Sequence, residues 1–140
     1  MKQPKYIRLV DGDPFPEIND FSPFIAVVII ETPVSVNWQT KASEWLVGQG
    51  CLFMLAWGLE CSSWDDSVDI ANLECFDYGD VPDDRFVMTT WHENEPLTDV
   101  IEFAARSAWH DSQDLDNFIF FHISDICRQD EFTKLYSGFI

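Results

Sequence analysis

Positive charge is scarce in this chain of 140 residues: eight Lys and Arg stand against 25 Asp and Glu, a formal net charge of −17. A surface of that sign repels phosphates and anionic lipids, so neither nucleic acid nor a membrane is an expected partner. Long apolar runs are missing as well. The run at residues 24–30, equalled in length by 51–57, is far short of a bilayer span. The basic opening, Met-Lys-Gln-Pro-Lys-Tyr-Ile-Arg, leads into no apolar signal core or small-residue cleavage site, and a cytoplasmic location is the expectation. Cys51, Cys61, Cys75 and Cys127 form no C-x-x-C pair. That spacing argues against a structural zinc knuckle, and without export a disulfide framework is not expected.

Nucleotide signatures are also lacking. No G-x-G-x-x-G follows a strand, no Walker A loop occurs, and the turn after the first apolar run reads Glu-Thr-Pro-Val-Ser. No cofactor is expected. Without repeats, low-complexity tracts or linkers, the length suits one domain over 1–140, with 1–23 as an N-terminal arm or edge strand.

What is present points to a folded body. Hydrophobic residues make up 46% and aromatics 15%, too much for a disordered acidic tail. The charge is uneven. Residues 1–59 hold four Lys/Arg against six Asp/Glu, a net of −2. Residues 60–131 hold three Arg against nineteen Asp/Glu, a net of −16. Solubility alone accounts for such a field, and so does attraction of a basic partner.

The apolar pattern predicts the elements. A possible strand at 6–10 precedes a turn-rich stretch, Asp-Gly-Asp-Pro-Phe-Pro, whose prolines forbid regular structure. Residues 24–30 are apolar on both faces, as a central parallel strand requires. Trp38, Ala42, Trp45 and Leu46 then share one helical face, and Gly48 and Gly50 mark its end. A second buried strand, 51–57, leads to a helix capped by Ser63, with Trp64, Val68, Ala71 and Cys75 on its inner side. A third strand at 85–91, a third helix opening at Pro96, a fourth strand at 118–123 and a short helix at 130–136 complete the order. Alternating strands and helices with right-handed crossovers give an α/β three-layer sandwich around a mostly parallel sheet of four to five strands, Rossmann-like or flavodoxin-like.

In such a sheet ligands bind beyond the carboxyl ends of the strands. Those ends are Glu31-Thr32, Trp57 to Cys61, Trp91-His92-Glu93 and His122 to Asp125. One reading makes Cys61, just before a helix, a nucleophile and His92 its base. Glu60, Asp65 and Asp66 crowd the same turn and oppose a thiolate, so a polar linker cysteine is the plainer account. A second reading gathers Glu60, Asp65, Asp66, His92 and Asp125 around Mg²⁺ or Mn²⁺. The spacing matches no metal motif, and capping in the form Ser-x-x-Asp from Ser63 explains Asp65 and Asp66 without one. No metal is therefore assigned. His122 reads as a core histidine held by a backbone hydrogen bond, and His110 as a helix C-terminal residue. Trp57, Trp64 and Trp91, with Glu60 and Asp125, are the candidates to line a binding pocket at this edge.

The segments Ala-Trp-Gly-Leu-Glu-Cys-Ser-Ser-Trp-Asp-Asp-Ser-Val-Asp (56–69) and Val-Met-Thr-Thr-Trp-His (87–92) resemble a family of small bacterial domains of unknown function. The resemblance spans most of 22–124 and implies a compact α/β domain, not a mechanism. A non-enzymatic binding protein that engages a basic partner, immunity- or inhibitor-like, is the leading expectation. The alternative is a small hydrolytic or metal-assisted enzyme using the carboxyl-end cluster.

Overall fold

The structure, a computed structural model, describes residues 3–140. Five parallel strands form one sheet in the order β1-β5-β2-β3-β4. They are β1 (Lys5–Leu9), β2 (Phe24–Ile30), β3 (Cys51–Gly58), β4 (Met88–His92) and β5 (Asn117–Ile123). Helices α1 (Val36–Gln49), α2 (Cys61–Glu74), α3 (Leu97–Arg106) and α4 (Gln129–Ser137) complete a three-layer α/β sandwich. No helix among the described residues is long and apolar enough to cross a membrane. The four cysteines are free.

The layers follow from strand parity. Side chains alternate across a strand, so Ala26, Val28 and Ile30 join Met54, Ala56, Phe121, Trp38, Leu46 and Trp64 under α1 and α2. Ile25, Val27 and Ile29 join Leu55, Phe120, Val100, Ile101 and Phe132 under α3 and α4. Every residue of β2 is buried, which explains its unbroken apolar run. Each large side chain so buried contributes about 1.5–3 kcal/mol of hydrophobic free energy. From β2 the chain steps outward to β3 and β4 with α1 and α2 on one face, then returns to β5 on the far side of β2 with α3 on the other. A right-handed connection that reverses direction must change faces.

The N-terminal strand is present at the edge beside β5, and the stretch after it packs Phe15 on Trp38 and Trp45. Three expectations shift. The third strand begins at Met88 rather than residue 85, because Asp83–Arg85 form a 3₁₀ turn and Asn72 of α2 holds the Arg85 carbonyl and the Val87 N–H. α2 starts two residues before Ser63. Glu60 stands at its N-cap in left-handed backbone (φ 54°), and the Ser63 hydroxyl donates to the Glu60 carbonyl instead of capping N–H groups. Asp65 and Asp66 thus lie in the second turn, and Asp65 is buried. Cys75 lies past the last residue of α2 and is exposed.

Candidate functional site

Because β2 and β5 are neighbours whose following connections lie on opposite faces, the topological switch point falls between Ile30 and Ile123. In an open α/β sheet this is where a ligand crevice forms. Here it is filled by the protein's own side chains. The chain turns off β2 with Glu31 and Thr32 both donating their N–H groups to the Ile123 carbonyl. Glu31 Oε1 accepts from His122 Nε2 at 2.5 Å, and Glu31 Oε2 accepts from Arg128 Nη1 at 2.6 Å. His122 Nδ1 accepts from the Tyr6 hydroxyl at 2.7 Å, whose oxygen in turn accepts from the Arg128 N–H. Arg128 also pairs with Glu131 and lies over the Phe132 ring. The result is a closed circuit through β1, β2, β5 and the start of α4.

The bonding pattern specifies one tautomer. The Glu31 carboxylate can only accept, so Nε2 carries the proton; in the neutral ring Nδ1 is then an acceptor and receives the Tyr6 O–H. Burial lowers the His122 pKa below its ordinary 6.5 and outweighs the nearby Glu31 carboxylate. Burial alone would raise the Glu31 pKa, but the hydrogen bonds from His122 and Arg128 prevail and hold it below its ordinary 4.5. Burial also raises the Tyr6 pKa, so the hydroxyl keeps its proton. Both acidic-side shifts act in the same sense. As pH falls below about 6.5 the unfolded histidine takes a proton that the folded one refuses, and below about 4.5 the unfolded Glu31 does likewise. Stability should therefore drop on acidification in two overlapping windows. Chemical denaturation from pH 7.5 down to 4 measures this, and a flat profile would refute the circuit.

The helix end beside the switch point is closed too. Ser35 caps α1 through the Trp38 N–H, and the Asp11 carboxylate accepts from both the N–H and the hydroxyl of Ser35 at 3.1 Å. A carboxylate of the chain itself thus sits where an anionic ligand would meet the helix N-terminus.

The residues expected at the other strand ends are not brought together. Cys61 is 2% exposed and packs with Trp64 and Val68 under α2. His92 leaves the opposite face of the sheet, near the Phe103 ring of α3, with Nε2 on the Thr90 hydroxyl and Nδ1 on Glu95. The sheet separates the two, so a Cys61–His92 couple is ruled out by geometry. Trp64 is buried edge-on to Phe121, whereas Trp57 lies on the other face and donates from its indole to the Glu95 carbonyl. Trp91 is 51% exposed. The three tryptophans line no common pocket. Glu60 and Trp64 do share a shallow cavity of about 170 Å³ with Ile30, Pro33, Val34 and Gln39. Asp125 is exposed past β5, two strands away from Glu60, so the five residues considered for a metal do not converge. His122 is held by side chains rather than backbone, and His110 lies four residues past α3, bound to the Phe86 carbonyl and the Ser112 N–H.

The constellation that the residues do build, Tyr6–His122–Glu31–Arg128, spans 91 to 122 positions of sequence. No spacing signal marks it. The one legible cue is that Glu31 directly follows one buried strand and His122 is the last residue but one of another.

Comparison with known proteins finds no matching curated protein and no matching solved structure. A family described as a domain of unknown function, DUF7684, matches residues 4–139, nearly the whole chain and all five strands. The chain belongs to this DUF7684 family of domains of unknown function.

Proposed function

We propose that this protein is a non-enzymatic binding module that engages a basic protein partner, in the manner of an immunity-type or inhibitor protein of bacterial conflict. The carrying observation is the composition of the surface of α2, of β4 at the sheet edge and of the start of α3. Asp66, Glu74, Asp83, Asp84, Glu93, Glu95 and Asp99 are exposed there, in the half of the chain with a net charge of −16. Among them Ile70, Leu73, Phe86, Met88 and Trp91 are large apolar side chains left in solvent. Exposed apolar side chains set among acidic ones, with Arg85 the one cation between residues 60 and 99, have the composition of a protein interface, and the charge favours a basic partner and speeds encounter. Four free cysteines and the acidic surface suit a cytoplasmic setting.

Affinity capture from the native host should retain a basic protein whose affinity, measured with both components purified, weakens steeply as ionic strength rises. Only salt-insensitive contacts, or none, would sink this reading.

The alternative, a small hydrolytic or metal-assisted enzyme at the carboxyl ends, has one observation in its favour. Glu31, His122 and Tyr6 form a carboxylate–imidazole–hydroxyl relay at the switch point. Both imidazole nitrogens are already used within the protein, the ring is fully buried, and the relay accounts for itself as structure.

A further inference from the structure

α2 runs along β4 as a ladder of contacts. Asn72 bonds to the Val87 N–H, and one turn earlier Asp69 accepts from the Thr89 hydroxyl at 2.8 Å. One more turn toward the helix N-terminus brings Asp65, and two more residues along the strand bring Trp91. Thr89 points at α2, so Trp91, two residues on, leaves the sheet on the same side. The pairing of Ala56, a core residue of that face, with Trp91 agrees. Continued by the same spacing, the next rung of the ladder is Asp65 on the helix and Trp91 on the strand, and no hydrogen bond joins the two side chains.

Asp65 is 8% exposed, yet its Oδ1 has no hydrogen-bond partner among the described residues. A buried carboxylate oxygen left unpaired is costly until a donor reaches it. Asp69 beside it has its pKa raised, by burial first, against the Thr89 hydrogen bond, and further by repulsion from the Asp65 and Asp66 carboxylates. Beyond Trp91 lies the outer edge of β4, the last strand of the sheet formed by the described residues. The opposite edge, β1, carries Lys5 and Arg8.

We propose that the notch between α2 and β4, formed by Asp65, Asp69 and Trp91, holds one arginine or lysine side chain of a basic partner, carried on an extended segment that adds to the edge of β4. The inference rests on the binding reading above and names its anchor. Carboxylates supply charge-assisted hydrogen bonds, the indole face supplies a cation–π contact, and the unpaired edge supplies main-chain donors and acceptors. An indole wall favours an organic cation over a metal ion, whose ligands here would be oxygen atoms.

The probe is an end-blocked eight-residue peptide alternating arginine with valine, compared with its neutral citrulline counterpart. Titrated at low ionic strength, the arginine peptide should bind, shift the amide resonances of residues 88–92 rather than 5–9, and outbind the citrulline peptide. Asp65→Asn and Trp91→Ala should each weaken it by roughly five- to tenfold. Trp91→Phe should keep most of the affinity. Asp130→Asn, the same loss of charge on exposed α4, should leave it unchanged, and melting curves of each variant confirm the fold. If Asp65→Asn and Trp91→Ala bind as tightly as the parent, the notch is refuted while the basic-partner reading stands. Failure to retain even polyarginine at low ionic strength would refute both. A rise in melting temperature with Mn²⁺ that Asp65→Asn abolishes would overturn the notch in favour of a metal site.

Discussion

His122→Ala should lower the free energy of unfolding by about 3–5 kcal/mol, the largest effect of any single polar substitution in this fold. The imidazole is fully buried, meets Phe132 edge-on at 4.9 Å, and joins the Tyr6 hydroxyl to the Glu31 carboxylate. Removing it opens a cavity between β5 and α4. It also takes the partner from Glu31 Oε1 and from the Tyr6 O–H, while Arg128 still holds Glu31 Oε2 and the Tyr6 oxygen. His122→Phe keeps the ring volume and should recover part of the packing loss but none of the polar one. Urea unfolding at pH 7.5 reads both. The variants must also lose the acid window near pH 6.5, because that window belongs to the histidine. A loss below about 1 kcal/mol would mean that the circuit is ornamental.

Gly58→Ala should be nearly as costly, about 3 kcal/mol or more, read as a fall of roughly 10 °C in the melting temperature. Gly58 ends β3 with φ +108°, where an L side chain is strained. A Cβ there would lie 2.1 Å from the Ile30 carbonyl oxygen and 3.0 Å from its carbon. That oxygen cannot step aside, since it accepts from the Leu59 N–H at 2.9 Å and belongs to the central strand. Two residues on, Glu60 also takes positive φ, so the chain turns sharply off the sheet into α2. The turn is what buries Cys61 and starts the helix ahead of Ser63. An unchanged melting temperature in Gly58→Ala would show that the β3–α2 turn can relax.

The site was harder to read than the fold, for a physical reason. Cys61 and His92 follow successive strands and are close in sequence order, which made them look like partners. Strand parity puts them on opposite faces, and parity depends on register that a single side chain does not reveal. The Ser63 capping pattern was present in letters, but the helix begins earlier because Glu60 accepts a left-handed backbone. Tyr6, Glu31, His122 and Arg128 meet only because β5 inserts between β1 and β2, a matter of strand order.

What the amino-acid order determined by itself was everything carried by local periodicity and by sums over the chain. The alternation of buried strands and amphipathic helices, and with it the parallel three-layer class, follows from where apolar residues repeat. The scarcity of positive charge and the concentration of acid in residues 60–131 are likewise properties of the letters alone. Only the tertiary structure decided what that acid faces. It left Trp91 and the edge of β4 exposed and Asp65 Oδ1 without a partner, and it closed the switch point with His122, Glu31 and Asp11. Those outcomes depend on contacts between residues far apart in the chain. Such contacts are set by the packing of whole elements, so no local pattern encodes them.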